Sequence, residues 1–450
     1  MQKTFFIKTF GCQMNERDSE IMAQSLGSEG YVETMEMEGA DLVILNTCSI
    51  RAKAEQKVMS LLGYLRKQKQ KYPAMKICVA GCVAQQEGDR IVARMPHVDL
   101  VIGTQNIYGI GKYLNIKNGA AGKVVTSLAD SYVIPKFLPD VKQKEKKEDT
   151  EGGFSRFVTI MQGCNNYCSY CVVPYTRGRE VSRKISDIAE EVKILVQSGV
   201  KEITLLGQNV NSYGKTNPVA SGDEKYNFSR LLRVVAETSG LERLRFTTSN
   251  PKDLDDELID CFGTIDNLCP QFHLPVQAGS DSVLKRMNRK YSVKEYLGKV
   301  DRLRERCPEI ALTTDIIVGF PGESDADFQQ TMDLLETVRY HGSFSFKYSD
   351  RPGTRASGFG DKIEESVKSE RLARFQKRQD EISLERNREY VGTCKKVMIE
   401  KCSEKETRGR TDTNHIVHFE NVLSCGPGDI VHARITFAGQ HSLKGEVVTP

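Results

Sequence analysis

Short apolar runs alternate with helix-like stretches along residues 1–130. The runs predict strands at Thr4–Phe10, Leu42–Asn46 and Lys76–Ala80. The stretches that follow them predict helices at Asn15–Leu26, Ala52–Lys69 and Gln85–Met95. A repeated strand-then-helix order is typical of a parallel sheet covered by helices. The pattern therefore predicts a parallel α/β domain over residues 1–134.

A charged segment separates this region from a second alternating region. Residues 135–152 are rich in Lys and Glu and poor in apolar residues, which predicts a linker. Six strands are then predicted, at Phe157–Gln162, Glu202–Leu206, Arg243–Thr247, Gln271–Pro275, Ala311–Val318 and Ser343–Tyr348. Six units are too few to close an eight-stranded barrel. We therefore expect a six-stranded partial (β/α) barrel over residues 153–382.

The pattern changes again near the C-terminus. A charged helical stretch from Ile363 to Glu389 precedes short apolar runs separated by turn signals such as Gly426-Pro-Gly428. These runs predict strands at Lys396–Glu400, Ile416–Phe419, Asp429–Thr436 and Leu443–Val448. They favour a small OB-like β-barrel over residues 384–450. Such barrels often bind RNA, and a domain that only caps the core fits the same pattern.

Length, composition and net charge limit the classes of protein to which the chain can belong. The 450 residues correspond to about three domains at about 150 residues each. No apolar run reaches about 18 residues, so no transmembrane helix is expected, and the N-terminus lacks a signal-peptide pattern. We expect a cytoplasmic chain, in which thirteen cysteines indicate metal ligands or buried thiols rather than disulfides. The net charge of +4 does not by itself indicate nucleic-acid binding.

Three cysteines follow the first predicted barrel strand, at Cys164, Cys168 and Cys171. A four-iron cluster usually takes four thiolates, so three leave one iron open for a bound molecule. A structural zinc site is the alternative, but it usually closes with a fourth Cys or His nearby, and none is local here. The spacing resembles that of the radical S-adenosylmethionine (SAM) enzymes. That resemblance implies SAM on the open iron and its reductive cleavage to a 5′-deoxyadenosyl radical.

Another cysteine lies just past each of the first three predicted strands: Cys12, Cys48 and Cys82. The carboxyl ends of parallel strands share one edge, where ligands bind. We therefore expect these thiols to converge as a second three-cysteine cluster site, three ordinary buried cysteines being the alternative. Cys78 competes with Cys82, but it lies within a strand and is expected in the sheet interior.

Together these features resemble the radical SAM methylthiotransferase family over essentially the whole chain. The family combines an N-terminal methylthiotransferase domain, a radical SAM core and a TRAM domain. Its branches act on N6-isopentenyl adenosine next to the tRNA anticodon, on threonylcarbamoyl adenosine in tRNA, or on an aspartate of a ribosomal protein. The first branch is matched by Gly11-Cys-Gln-Met-Asn15, Asn46-Thr-Cys-Ser-Ile-Arg51 and Pro174-Tyr-Thr-Arg-Gly-Arg-Glu180.

The resemblance implies two [4Fe-4S] clusters: a SAM-binding one on Cys164, Cys168 and Cys171, and an auxiliary one on the other three cysteines that carries the sulfur to be inserted. The substrate would be tRNA carrying N6-isopentenyl (dimethylallyl) adenosine, attacked at carbon 2. An acid–base pair of ordinary pKa cannot remove that hydrogen, whereas a carbon radical can. An electron donor such as flavodoxin or ferredoxin, no membrane partner and a monomer are expected. The other two branches, and an RNA-binding iron–sulfur protein without catalysis, remain alternatives.

Further contacts are expected around the barrel strand ends. The SAM-binding candidates are Tyr170, Gly207, Gln208, Asn209, His273, Gln277, Ser280 and Asp315. For Tyr170 simple packing is the alternative, and for Gly319 and Gly322, which follow the fifth barrel strand, ligand contact and turn geometry both remain open. Arg177, Arg179 and Arg183 follow the cysteine loop, and arginine suits phosphate or carboxylate. They are candidates for RNA or SAM contacts, with ion pairs to Glu180 as the alternative.

Overall fold

The computed structural model describes residues 2–49, 52–114, 124–129, 132–139, 153–216, 226–403, 406–420 and 425–448. The chain forms two compact units. The first comprises Met1–Asp140, Thr159–Asn165 and Val173–Arg183, and the second comprises Val141–Val158, Asn166–Val172 and Lys184–Pro450. Most of the linker expected over residues 135–152 lies outside the described residues.

The first unit is built on a six-stranded parallel sheet. Its strands are β1 (Thr4–Thr9), β2 (Val32–Glu33), β3 (Leu42–Thr47), β4 (Lys76–Gly81), β5 (Leu100–Ile102) and β6 (Val124–Val125). Its helices are α1 (Gln13–Ser28), α2 (Ala52–Lys71), α3 (Cys82–Arg94) and α4 (Ile110–Leu114). The strands pair in the order β2-β1-β3-β4-β5-β6. The predicted parallel α/β fold is confirmed.

Both faces of this sheet are apolar. Neighbouring residues of a strand point to opposite sides, and in these strands both sets of residues are apolar. In β3, Leu42 and Ile44 pack in the core that contains α1, whereas Val43 and Leu45 pack in the core that contains α2 and α3. Cys78 of β4 is fully buried on the α1 side. Strands that are apolar on both faces need helices on both faces, and the chain supplies them.

The chain continues through β7 (Ser155–Thr159) and a short antiparallel pair. That pair consists of β8 (Met161–Gln162) and β9 (Val181–Ser182), with α5 (Val173–Arg177) between them. The loop that carries Cys164, Cys168 and Cys171 lies between β8 and α5. The strands of this pair and α5 belong to the first unit. In the sequence they flank the start of the predicted barrel.

The second unit carries the partial barrel. Its further strands are β10 (Glu202–Leu206), β11 (Arg243–Thr247), β12 (Gln271–His273), β13 (Ala311–Val318) and β14 (Gly342–Lys347). Its helices are α6 (Ile185–Gln197), α7 (Phe228–Ala236), α8 (Asp256–Thr264), α9 (Asp281–Arg286), α10 (Val293–Arg306), α11 (Asp325–Val338) and α12 (Glu365–Arg388). The strands β7, β10 and β11 form one sheet and β12, β13 and β14 another, linked by a parallel bridge between Leu244 and Leu268. The predicted six-stranded partial barrel is confirmed.

The C-terminal region forms a closed five-stranded barrel. Its strands are β15 (Cys394–Ser403), β16 (Glu406–Thr411), β17 (Ile416–Phe419), β18 (Ile430–Ala438) and β19 (Leu443–Val447). Their order is β15-β16-β17-β19-β18, with β17 and β19 parallel, which is consistent with the expected OB-like class. Sequence analysis missed β16 because its buried positions are Thr407, Gly409 and Thr411 rather than aliphatic residues. No helix in the described part of the chain is long and apolar enough to cross a membrane.

Two histidines pack edge to face in the second unit. The ring centroids of His341 and His415 lie 5.6 Å apart, and His341 Nδ1 accepts the Leu312 backbone N–H at 3.2 Å. Burial, with His415 and nearby arginines adding to it, lowers the pKa of His341 to about 3. Burial and neighbouring basic residues lower the pKa of His415 to about 4. Both rings are therefore neutral at pH 7.

Acidification should destabilise the folded chain through this pair. In the unfolded chain a histidine takes up its proton near pH 6.5, whereas in the folded chain it stays neutral to lower pH. The folded state therefore loses stability as pH falls below about 6.5. Because both rings are partly exposed, we expect a loss of only roughly 1–2 kcal/mol per histidine between pH 7 and pH 5. Urea unfolding of the metal-free protein at several pH values would measure it.

The variants His341→Gln and His415→Gln should each flatten this dependence on pH. The exposed His441 offers a matched control, because His441→Gln should leave the slope unchanged. Equal slopes in all three variants and the parent would contradict the prediction.

Candidate metal centres

Three cysteines of the first unit lie where neighbouring strands end. Cys48 follows β3 directly, Cys82 follows β4 directly, and Cys12 caps the start of α1, three residues after β1. Because β1, β3 and β4 are adjacent and parallel, their carboxyl ends lie at one edge of the sheet. Cys48 and Cys82 are buried, and Cys12 is half-buried. The N-termini of α1 and α3 favour negative charge at Cys12 and Cys82.

Glycines in the left-handed region of backbone space allow the cysteine loops to approach one another. Gly11 has a φ of 115° and Gly81 a φ of 91°. A Cβ on Gly11 would lie 2.2 Å from Cys48 Cβ, and a Cβ on Gly81 would lie 2.3 Å from the Thr47 carbonyl oxygen. Only glycine combines that φ with that contact at no steric cost.

Three polar side chains bind the cysteine loops to one another. Asn15 Nδ2 donates to the carbonyl oxygens of Phe10 and Thr47, both at 2.9 Å. Asn46 Nδ2 donates to the Asn15 carbonyl at 2.8 Å. The Thr47 hydroxyl donates to the Ala80 carbonyl at 2.6 Å. Each loop is thus hydrogen-bonded to the next, and buried networks of this kind fix geometry.

A buried arginine supplies positive charge to these thiols. Arg177, the last residue of α5, donates from Nη2 to Asp18 at 2.7 Å and to Asn15 Oδ1 at 3.2 Å. Burial would lower the pKa of Arg177, but Asp18 and the thiols of Cys82 and Cys12 raise it above its usual value. Sequence analysis did not identify Asp18, although it lies six residues after Cys12.

The surroundings shift the pKa values of the Cys12 and Cys82 thiols in opposite directions. A hydrogen bond with Cys48, and to a smaller extent the charge of Arg177, lowers the pKa of Cys12 to about 6 although burial opposes the shift. Burial raises the pKa of Cys82, and Arg177 opposes that rise. Thiolates are the form that binds metal, so a positive charge beside buried thiols favours a metal group.

The donor set fits an iron–sulfur cluster. Arg177 Nη1 is buried and has no hydrogen-bond partner among the residues that the structure describes. Buried unpaired donors are rare, and sulfur atoms of a bound cluster are acceptors of the kind it lacks. Within the described ranges no three His, Cys, Asp or Glu side chains lie close enough to share one metal ion. A four-iron cluster instead takes each thiolate on a different iron.

The second cysteine triplet is divided between the two units. In the first unit, Cys164 follows Gly163, which has a φ of 80°, and its N–H donates to the Gly178 carbonyl at 3.3 Å. In the second unit, Arg289 Nη1 donates to Cys168 Sγ at 3.4 Å. Cys168 and Cys171 are half-buried. No sequence pattern indicated Arg289, because only the fold brings it to the cysteine loop.

Tyr170 lies in the same loop and is half-buried. Burial raises its pKa well above the usual value, and the charge of Arg289 opposes the rise. Arg289 also donates from Nε to the Tyr291 hydroxyl at 2.8 Å and from Nη2 to the Pro275 carbonyl at 2.9 Å. Its guanidinium is therefore fixed beside the loop.

Three of the predicted SAM contacts come together on the inner side of the barrel. His273 Nε2 lies 3.4 Å from the Asp315 carboxylate. Gln277 has a φ of 75°, and its N–H donates to the Asp315 carbonyl at 2.9 Å. These three residues lie at or beyond the carboxyl halves of β12 and β13.

The other predicted SAM contacts follow strand ends but have partners within the protein. Gly207 and Gln208 come directly after β10. Asn209 Nδ2 donates to Asp253 at 2.8 Å. The Ser280 hydroxyl donates to Asp327 and is fully buried, which suggests a role in positioning α9. Contact of these residues with SAM stays a prediction.

The three predicted RNA-contacting arginines differ in exposure. Arg177 and Arg183 are buried, and Arg183 Nη1 donates to the Thr159 carbonyl at 2.7 Å. Arg177 pairs with Asp18 rather than with Glu180. Buried side chains offer RNA little exposed surface, and contact of Arg177 and Arg183 with RNA or SAM stays a prediction. Arg179 is exposed, and for it RNA contact stays a prediction.

Exposed aromatic side chains line the inner face of the partial barrel. Phe344 is 59% and Phe346 43% exposed. Parallel register places Phe344 beside Asp315 and Phe346 beside Ile317, so these side chains share one face. The Phe344 ring packs against His273 with centroids 5.9 Å apart. The residues of β13 that alternate with them are buried on the helix-covered side.

Three family models match the chain. The uncharacterized protein family UPF0004 matches residues 4–103, the radical SAM superfamily residues 158–335, and the TRAM domain residues 388–448. The three-cysteine site of the first unit uses the UPF0004 region together with α5. The triplet at Cys164, Cys168 and Cys171 lies within the radical SAM match.

Relatives that align over nearly the whole chain share one name. A tRNA-2-methylthio-N(6)-dimethylallyladenosine synthase of Desulfotalea psychrophila is 65% identical over 447 residues, 99% of each chain. The protein of that name from Geobacter metallireducens is 48% identical over 99% of this chain and 98% of its own. A solved radical S-adenosylmethionine methyltransferase from Kitasatospora setae aligns with a TM-score of 0.57 at 14% identity, over 79% of this chain and 77% of its own. At that identity the structural likeness concerns the fold alone.

A substitution at Gly11 should damage the three-cysteine site. Gly11→Ala would force the backbone at Cys12 away from Cys48, so we expect it to lower the iron bound there at least twofold. The measurement is iron and sulfide per chain after anaerobic reconstitution, in a background where Cys164, Cys168 and Cys171 are alanine.

Gly30→Ala is the matched control for the Gly11 variant. Gly30 also has a positive φ, of 85°, but a Cβ there would meet nothing within 4 Å. Its cost is therefore only the backbone strain of about 1–2 kcal/mol, without loss of iron. Equal iron content in the two variants would show that the close approach of Gly11 to Cys48 is not required.

Proposed function

This chain belongs to the family of tRNA-2-methylthio-N(6)-dimethylallyladenosine synthases, and we propose that it attaches a methylthio group to carbon 2 of N6-isopentenyl (dimethylallyl) adenosine next to the tRNA anticodon. The observation that carries this proposal is 65% identity to a relative of that name over 99% of both chains. Threonylcarbamoyl adenosine and a ribosomal aspartate are the alternative substrates.

The radical SAM superfamily uses SAM and a [4Fe-4S] cluster, and Cys164, Cys168 and Cys171 are the residues that would hold it. When bound, this group supplies the electron for radical chemistry on SAM. Arg289 restrains Cys168 and lends it positive charge. On the barrel side, His273, Gln277 and Asp315 would supply polar contacts to SAM.

The three-cysteine site of the first unit supports a second, auxiliary cluster that would deliver the inserted sulfur. Its thiols come from three loops that Asn15, Asn46 and Thr47 hold together. Cys48 and Cys82 are buried, which would keep water away from a sulfur atom bound at this site. The charge of Arg177 compensates the negative charge that three thiolates bring.

The partners follow from this activity. The substrate is tRNA, and the C-terminal barrel, which matches the TRAM domain, would add backbone contacts and make binding depend on salt. A low-potential donor such as flavodoxin or ferredoxin would supply electrons. We retain a monomer and a cytoplasmic location as proposals, the latter because the substrate is a tRNA.

Nucleoside analysis by mass spectrometry tests the proposed reaction. The anaerobically reconstituted protein, with SAM and a reductant, should add a methylthio group to tRNA carrying isopentenyl adenosine. It should leave tRNA carrying threonylcarbamoyl adenosine unchanged. A gain on the second tRNA alone would reassign the substrate, and SAM cleavage with no gain on either tRNA would point to a protein substrate.

The exposed aromatic face of the barrel supports selection of the isopentenyl group. Phe344, Phe346 and Ile317 offer an uncharged group the apolar contact that the hydrophobic effect rewards. A threonylcarbamoyl group carries a carboxylate, which the neighbouring Asp315 would repel. We therefore infer that this face binds the modified base of the substrate.

Truncation of this face should weaken selection of the modified base. Phe344→Ala and Phe346→Ala should each lower affinity for an anticodon stem-loop with isopentenyl adenosine roughly tenfold, since stacking on an aromatic side chain contributes about 1–3 kcal/mol. Affinity for the unmodified stem-loop should change less. Fluorescence anisotropy measures both, with exposed Tyr72→Ala as the control. An equal loss for both RNAs would place these aromatics outside the base-binding site.

A further inference from the structure

Arg177 is close in sequence to the cysteines proposed to hold the SAM-binding cluster, but it is buried in the unit that contains the other three-cysteine site. Arg177 comes six residues after Cys171 in the sequence. Its segment nevertheless belongs to the first unit, with Cys12, Cys48 and Cys82. The Thr104 hydroxyl donates to the Thr176 carbonyl at 2.6 Å and fixes the end of α5 on that unit.

The hydrogen bonds of Arg177 are incomplete. Asp18 and Asn15 account for Nη2. Asn15 Oδ1 also lies 3.9 Å from Cys12 Sγ, so the guanidinium and that thiol share one acceptor. Nη1 has no hydrogen-bond partner within the described part of the chain, although Arg177 is only 3% exposed. The ion pair with Asp18 accounts for Nη2, and the other neighbour of the guanidinium is the Cys82 thiol, whose pKa it lowers against the effect of burial.

Leaving a charged donor buried and unpaired carries a full desolvation cost. A hydrogen-bond acceptor bound next to Nη1 would remove this cost. The thiols of Cys82 and Cys12 lie close enough to raise the pKa of Arg177, so sulfur atoms bound at the three-cysteine site would be the acceptors. The fork of arginine can hold Asp18 with one nitrogen and such an acceptor with the other.

We propose that Arg177 is a positioning residue of the three-cysteine site, whose Nη1 donates a hydrogen bond to a sulfur atom bound there. The inference rests on the proposed auxiliary cluster and assigns this residue its sulfur-directed donor. Hydrogen bonds to cluster sulfurs and nearby charge set reduction potential. Arg177 therefore stabilises the more negative, reduced state of the bound group.

The reduction potential of the auxiliary cluster is the readout, because a merely structural role would not move it. Cys164, Cys168 and Cys171 are replaced by alanine so that only the three-cysteine site contributes. Arg177→Gln should make reduction at least tenfold less favourable, a shift of about 59 mV to lower potential for one electron. Arg177→Lys, which keeps the charge but not the fork, should lie between Arg177→Gln and the parent.

Arg90→Gln is the matched control, since it removes the same charge from an exposed position on α3, the helix that starts at Cys82. Its potential should equal that of the parent. Identical potentials for Arg177→Gln and Arg90→Gln would overturn the inference. A parent that binds no iron would instead refute the auxiliary cluster itself, so the two failures are distinguishable.

A measurement on unsubstituted Arg177 covers the case in which its variants fail to fold. In the same triple-alanine background, arginine labelled with nitrogen-15 should give a hyperfine coupling to the reduced cluster in pulsed electron paramagnetic resonance. The loss of that coupling in a folded Arg177→Lys protein would assign it to this residue. Absence of any coupling from a reduced, assembled cluster would overturn the inference.

Discussion

The parallel pairing of β1, β3 and β4 is the constraint on which the three-cysteine site depends. It brings three carboxyl ends to one edge of the sheet, and the chain places a cysteine just after each. Glycine at positions 11 and 81 removes the side chains that would keep the loops apart. Asn15, Asn46 and Thr47 then satisfy the backbone groups that such close loops leave without strand partners. Thiols far apart in sequence thereby share one environment.

The three-cysteine site also depends on the positive charge of Arg177 beside its thiols. Thiols in an apolar interior resist ionisation, as Cys78 does within β4, the strand that leads to Cys82. The difference at the sheet edge is Arg177, which is itself held in the interior by Asp18. Breaking a buried pair of this kind usually leaves an uncompensated charge at considerable cost. Loss of either partner would therefore destabilise the first unit, and the pair also directs positive charge to its thiols.

The two faces of the partial barrel differ in character. Its helix-covered face is packed with apolar residues, whereas its inner face keeps polar and aromatic side chains partly exposed, from His273 and Asp315 to Phe344 and Phe346. A closed eight-stranded barrel of this size fills its interior with side chains. Six strands leave that interior open, so a cofactor and a base can be accommodated where a packed core would otherwise lie.

The sequence alone determined the strand–helix alternation, the two cysteine triplets and the family resemblance, because hydrophobic period and ligand spacing are local properties. It did not reveal β16, whose buried positions are Thr and Gly and therefore lack an apolar pattern. Nor could it separate Arg177 from Arg179, since two arginines that are two residues apart look equivalent until packing buries one against Asp18 and leaves the other in solvent. Arg289 reaches Cys168 from 121 residues away, a contact that only the fold creates. Tertiary structure decided which charges face the thiols, because burial and distance, not residue type, set the strength of an electrostatic interaction.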